Sequence, residues 1–121
     1  MDYNLCDYNT VKKILSAHGF NFSKALGQNF IIDDSVCPTM AEMLEADEKT
    51  GVLEVGPGVG VLTKELCKRA GKVVSVELDE RLYPVLEQTL ADYDNFELVK
   101  GDVMKIDLKQ LIAEKFADCD T

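Results

Sequence analysis

From residue 51 onward the chain alternates between short apolar, β-branched segments and stretches of helical length, and the first junction is rich in glycine. Gly51-Val-Leu-Glu-Val55 reads as a short buried strand, followed by a tight loop, Gly56-Pro-Gly-Val-Gly60. Val61 to Ala70 then reads as a helix ended by Gly71, and Lys72-Val-Val-Ser-Val-Glu77 as a second strand. Asp79 is placed to cap a helix running to about Ala91. Asn95 to Lys100 is a third strand, Gly101-Asp102 a turn, and Leu108 to Lys115 a final helix. Strands joined by helices in this order are the mark of βαβ units, which build parallel sheets. The pattern predicts an α/β fold with an open parallel sheet of about three strands.

The first 45 residues are different. Val11, Ile14 and Leu15 recur at helical spacing within residues 9–18, with Asn9 or Thr10 as a cap and Gly19 as the stop. A loop follows, and Asp33, Asp34 or Ser35 can cap a second helix through about Leu44, with Pro38 in its first turn. The expected organisation is thus a helical segment with a loop over 1–45, then the start of the sheet domain over 46–121. A chain of 121 residues, 46% hydrophobic and 29% charged, is expected to fold as one domain.

No apolar run approaches ~18 residues, and the N-terminus lacks a basic start followed by an apolar stretch. A cytoplasmic protein without a membrane span is therefore expected. Cys6, Cys37, Cys67 and Cys119 are scattered, with no metal-ligand spacing, and read as ordinary thiols in a reducing compartment. The net charge of −9 argues against strong nucleic-acid binding by this chain alone, because such affinity comes from neutralising phosphates with Lys and Arg. Residues 1–30 are the exception: three lysines against two aspartates leave +1, whereas residues 31–121 carry 10 basic and 20 acidic residues, or −10.

Ligands of open parallel sheets bind outside the C-terminal ends of the strands. Glu54, Glu77 and Asp102 fall at or just after three such ends, and the glycine loop follows the first. Glycine is needed there because backbone must approach the ligand closely. A dinucleotide fold would place its glycines as G-x-G-x-x-G, with a pyrophosphate on the helix N-terminus. Gly56, Gly58 and Gly60 are one position tighter, and Glu54 beside them is poorly placed for a pyrophosphate. A phosphate-free, positively charged nucleoside ligand suits the loop better, and S-adenosylmethionine fits that description. Glu77 can then accept the two hydroxyls of a ribose. Asp102 can accept the adenine amine, and the Val103 N–H can meet a ring nitrogen.

Each of these features also has an ordinary explanation. A glycine-rich junction can be only a turn, Glu77 a capping residue in competition with Asp79, and Asp102 a turn residue. His18 beside Gly19 reads as a helix-end charge rather than a catalyst. Tyr3, Tyr8, Phe20 and Phe22 read as packing residues before base-stacking ones.

Two segments carry more than fold-level information. Leu26-Gly-Gln-Asn-Phe30, followed by Glu54-Val-Gly-Pro-Gly-Val-Gly-Val-Leu-Thr63, resembles the small-subunit ribosomal RNA adenine N6,N6-dimethyltransferases. Val76-Glu77-Leu78-Asp79 and Gly101-Asp102-Val103 are similar to the family's next two motifs, in order. The resemblance implies a Rossmann-like class I methyltransferase fold with S-adenosyl-L-methionine as cofactor. It implies that Asn29 and Ile31 contact the methionine end of that cofactor, although the family usually has leucine at the place of Ile31. It also implies that Gly56 and Gly58 lie against the cofactor, that Glu77 holds its ribose and that Asp102 holds its adenine.

The family's target-adenine motif, Asn-Leu-Pro-Tyr or Asn-Ile-Pro-Tyr, does not occur in these 121 residues. The chain is therefore expected to carry the cofactor-binding half only, with no catalytic residue of its own. The resemblance implies a parent that dimethylates two adjacent adenines of small-subunit (16S) rRNA in an immature 30S subunit. Alternatives are a large-subunit antibiotic-resistance methyltransferase, a nicotinamide-dependent enzyme and a non-catalytic rRNA-docking piece. The family's sheet order puts the first strand between the second and a fourth. Without that fourth strand the Gly51–Val55 edge is expected to be open and the chain prone to self-association.

Overall fold

The computed structural model describes residues 3–20 and 35–121. Helix α1 (Tyr8–Ala17) starts one residue earlier than its apolar spacing predicts, because Asp7 is its cap. The Asp7 carboxylate accepts from the Thr10 N–H (3.0 Å) and the Thr10 hydroxyl (2.7 Å), so Thr10 donates to the cap instead of being it. Val11, Ile14 and Leu15 turn one stripe of α1 into the core. Gly19, at φ 83°, then ends the helix. Its N–H donates to Ser16 O (3.2 Å) and the Phe20 N–H to Leu15 O (3.0 Å), which satisfies carbonyls the helix leaves unpaired. Helix α2 (Val36–Met43) follows Ser35.

The sheet has the order β1-β2-β3, all parallel: β1 (Gly51–Val55), β2 (Lys72–Glu77) and β3 (Phe96–Lys100). Helix α3 (Val61–Arg69) links β1 to β2. A 3₁₀ turn (Glu80–Leu82) and helix α4 (Tyr83–Thr89) link β2 to β3. A second 3₁₀ turn (Val103–Lys105) precedes helix α5 (Leu108–Lys115). The predicted α/β class agrees with this arrangement and the strand boundaries agree to within one residue, β3 starting at Phe96 instead of Asn95; a 3₁₀ turn stands where the helix after Asp79 was expected to begin.

Register and the two-residue period of a strand sort the sheet into two faces. Val52 and Glu54 share one with Val73, Ser75, Glu77, Phe96 and Leu98. Helices α1 to α4 pack on this face. Ala41, Leu66, Cys67, Ala70 and Val73 form one buried cluster there, and α1 joins Val59, Leu82, Val85 and Leu86 in another. The other face meets α5. Leu111 of α5 is buried, but Ile112 is 48% exposed and Val55 of β1 57% exposed.

Strand β1 lies at the sheet's edge, as expected, yet the first part of that edge is not bare. Gly51 N–H donates to Thr121 O (2.7 Å), while the amides of Asp120 (2.8 Å) and Thr121 (3.4 Å) donate to Lys49 O. The two bonds of Thr121, one on each side of Thr50, have the pattern of a parallel ladder. Beside them Gly51, Leu53, Ile112, Phe116 and Cys119 line a groove of about 310 Å³.

Candidate functional site

Because all three strands run the same way, their C-terminal ends share one rim of the sheet, and β1 and β3 stand about 10 Å apart across β2. The glycine loop leaves β1 at this rim. Gly56, Gly58 and Gly60 have φ of 71°, 62° and 98°, a region open to glycine and strained for other residues. A Cβ on Gly56 would meet nothing within 4 Å, so its backbone faces open space. A Cβ on Gly60 would instead press on Thr89 Oγ1 (3.3 Å) and Leu90 (3.4 Å). The first glycine thus leaves its backbone uncovered, and the third is a packing contact with α4.

The loop is held at several points. Gly56 N–H donates to Val76 O (2.9 Å), continuing the ladder to β2, and Gly60 N–H donates to Pro57 O (3.0 Å). The buried Thr89 hydroxyl donates to Val59 O (2.8 Å).

Two carboxylates stand on the helix-covered face behind this loop. Glu54 Oε1 accepts from Thr63 Oγ1 (2.5 Å) and Ser75 Oγ (2.8 Å), and both hydroxyl residues are fully buried. Burial raises the Glu54 carboxyl above its ordinary value of 4.5 despite those two bonds, and the nearby charge of Glu77 pushes the same way. Glu77 is 7% exposed. Its Oε2 accepts from the Asp79 N–H (2.9 Å), while Oε1 accepts nothing from the described residues. The Glu77 main chain is fixed as well, since its carbonyl accepts from Tyr83 OH (2.9 Å) and from Gly101 N–H (3.0 Å). Among the described residues no cation pairs with either carboxylate. Among the described residues, the rim therefore sets Glu77, buried, and Glu54, partly buried, beside the glycine loop without a cationic partner.

Asp102 sits at the same rim and does perform the turn role that sequence allows it. Its Oδ1 accepts from the Met104 N–H (2.9 Å) and caps the second 3₁₀ turn. As the turn's first residue, Val103 has an N–H that the turn does not use. Asp79 caps the first turn, accepting from Arg81 N–H (3.0 Å), so the capping reading belongs to Asp79 and not to Glu77. Asn29 and Ile31 lie outside the described residues, as does Phe22.

Leu78, directly after Glu77, is 65% exposed at the rim, an apolar surface that the sequence reading did not single out. Its signal was available in the chain, because it follows a strand's last buried residue and precedes a cap. His18 is the C-cap of α1, and its Nε2 lies 2.6 Å from Gln88 Oε1, away from the rim carboxylates. Phe20 is core, and Tyr3 packs against the core with its hydroxyl accepting from Gln88 Nε2 (3.0 Å). All four cysteines are free, and burial pushes the Cys67 thiol up to about 12.

A parallel sheet with a glycine-rich first junction and acidic residues at its strand ends defines a Rossmann-like nucleoside-binding domain of the class I methyltransferase type. Residues 19–121 match the family model for ribosomal RNA adenine dimethylase, and the chain belongs to that family. It is 48% identical over 109 residues to ribosomal RNA small subunit methyltransferase A of Bacillus licheniformis, covering 90% of this chain and 37% of that protein. The Geobacillus protein of the same name is 41% identical over 116 residues, or 96% of this chain and 40% of the relative. The chain thus spans little more than a third of the length of these curated relatives.

Among solved structures, the 23S rRNA methyltransferase ErmE matches with a TM-score of 0.59 and 38% identity over 63% of this chain and 31% of its own. The N-terminal domain of EvdMO1 with SAH bound shares the fold, with a TM-score of 0.65 and 20% identity over 92% of this chain and 52% of its own.

Proposed function

We propose that this chain is the S-adenosylmethionine-binding part of an enzyme that methylates adenine N6 in ribosomal RNA. The observation that carries the reading is a pair of carboxylates beside the glycine loop, Glu77 buried and Glu54 partly buried, with no cation paired to either among the described residues. Burying a charge is costly unless it is paired, so a cationic ligand is the natural complement. When bound, S-adenosylmethionine supplies an electrophilic methyl group on its sulfonium.

This chain's residues divide the binding as follows. Gly56 and Gly58 let the backbone lie against the ligand, and Glu54 provides negative charge near its cationic end. Glu77, with Oε2 already occupied by the Asp79 N–H, offers Oε1 to the ribose hydroxyls. Asp102 offers its second carboxylate oxygen to the adenine amine, while Leu78 supplies an apolar surface for the ring. Asn29 and Ile31 complete the methionine end in this reading.

For the whole protein we favour two adjacent adenines of small-subunit rRNA as substrate, in the cytoplasm and on an immature 30S subunit. The support is the 48% identity to a small subunit methyltransferase A. The large-subunit reading keeps a claim through the 38% identity to ErmE. Primer extension across both rRNAs, in cells carrying or lacking the full-length gene, separates them: loss of methylation on small-subunit adenines is expected. Loss confined to large-subunit rRNA contradicts the proposal.

A further inference from the structure

A connected set of contacts runs from the end of α1 to Glu77, and the functional reading leaves it unexplained. The guanidinium of Arg81 lies over the Phe20 ring, 4.9 Å from its centre. Its edge forms a two-pronged pair with Asp79, Nε to Oδ1 at 3.1 Å and Nη2 to Oδ2 at 2.8 Å. Asp79 Oδ1 also accepts from the Arg81 N–H, and the Asp79 N–H donates to Glu77 Oε2. Phe20 belongs to the core, so the set is anchored at one end and reaches the ribose carboxylate at the other.

The Arg81 side chain is 72% exposed, and an ion pair at such a position contributes little to stability. Its geometry has a clearer consequence. A planar guanidinium can stack by its face and fork by its edge at once, which lysine cannot do. Stack and fork together fix the turn at Leu78–Asp79, and with it the direction of the Asp79 N–H. That N–H selects which Glu77 oxygen is occupied and which is left for a ligand.

We propose that Arg81 is a positioning residue for the ribose site, acting through Asp79 to hold the Glu77 carboxylate in its diol-accepting orientation. The inference rests on the cofactor reading above. Its test uses the whole 121-residue chain with S-adenosylhomocysteine and the 2′,3′-dideoxy analogue of that compound, titrated calorimetrically against wild type, Arg81→Met and Arg81→Lys. Arg81→Lys retains the charge without the fork and serves if Arg81→Met folds poorly, with melting curves reported for each variant.

Wild type is expected to bind S-adenosylhomocysteine, and each substitution to weaken that binding about five-fold, on the order of one hydrogen bond's contribution. The same substitutions are expected to weaken the 2′,3′-dideoxy analogue less than about two-fold, because both hydroxyls through which Arg81 acts are gone. Equal losses for both ligands, no loss, or full rescue by lysine would overturn the positioning role and leave the cofactor reading standing. Failure of wild type to bind S-adenosylhomocysteine would overturn both.

Discussion

The two faces of the sheet are built to different standards. On the α1–α4 face, Leu15, Val73, Leu86 and Thr63 are fully buried, and the polar groups there hold one another in defined hydrogen bonds. On the α5 face one eight-residue helix covers the sheet, and Ile112, Val55 and Leu108 remain in contact with solvent. Electrostatics follow the same division. Glu54 on the first face is partly buried and, among the described residues, has no cationic partner, whereas Glu97 on the second is half-exposed and pairs with Lys72 (3.6 Å) and Lys115. The contrast teaches that a ligand site at this rim, as proposed above, would be held by the hydrogen-bonded groups of the closed face rather than by the open one.

Glycines give the sharpest way to break that comparison. A Cβ on Gly71 would fall 2.1 Å from the backbone carbonyl oxygen of Glu48, so the main chain itself would have to shift. Gly71→Ala is expected to cost about 3 kcal/mol in denaturant unfolding. A Cβ on Gly51 would meet the Phe116 ring at 2.3 Å, but that ring borders the open groove and can turn away. Gly51→Ala is expected to cost about 1 kcal/mol or less. Equal costs would mean that the two faces are equally rigid.

Truncations sharpen the same point. Leu86→Ala on the closed face should lose about 3 kcal/mol, within the range for buried leucines, and Ile112→Ala on the open face less than about 1 kcal/mol. Urea melts of both variants test this.

Glu54 separates stability from binding. Burial disfavours its charged form, so its carboxyl is raised in the folded state. The associated stability is therefore fully present below the ordinary value of 4.5 and is lost as pH rises through the raised one. Glu54→Gln removes the partly buried charge while leaving an oxygen to accept from Thr63 and Ser75. Its melting temperature at neutral pH should rise. Its affinity for S-adenosylmethionine should fall about ten-fold, and that for S-adenosylhomocysteine, which lacks the sulfonium charge, much less. A lowered melting temperature would show that the charge is stabilising and would remove this part of the account.

The smallest expected effect concerns the exposed pairs. Lys115→Met on the open face should change stability by less than about 1 kcal/mol, and salt should mask the difference. The same urea melts at low and high ionic strength give the answer.

What sequence made legible, and what it did not, divides along the range of the interactions. Alternating β-branched residues placed β2 at Lys72–Glu77, and apolar spacing placed α5 at Leu108–Lys115, because both signals are local. The glycine loop and the acidic strand ends were legible for the same reason. The α1 cap was misplaced because Asp7 competes with Asn9 and Thr10 for one position, and only the bonds to Thr10 decide it. Glu54 stood in the quoted motif, but its bonds to Thr63 and Ser75 depend on how α3 and β2 meet β1. The stack of Arg81 on Phe20 joins residues far apart in the chain, and no spacing announces it. The roles proposed for Asn29 and Ile31 rest on the resemblance alone, and both residues lie outside the described ones.

The central claim is that the closed face holds a preformed half-site for the cofactor, with Glu77 as its ribose acceptor. Calorimetric titration of the 121-residue chain with S-adenosylmethionine, repeated on Glu77→Ala, tests it most directly. Saturable binding by the wild-type chain, abolished by the substitution while the melting temperature is held, is the result the account predicts. Absence of binding by a folded wild-type chain, or undiminished binding by the variant, would contradict it.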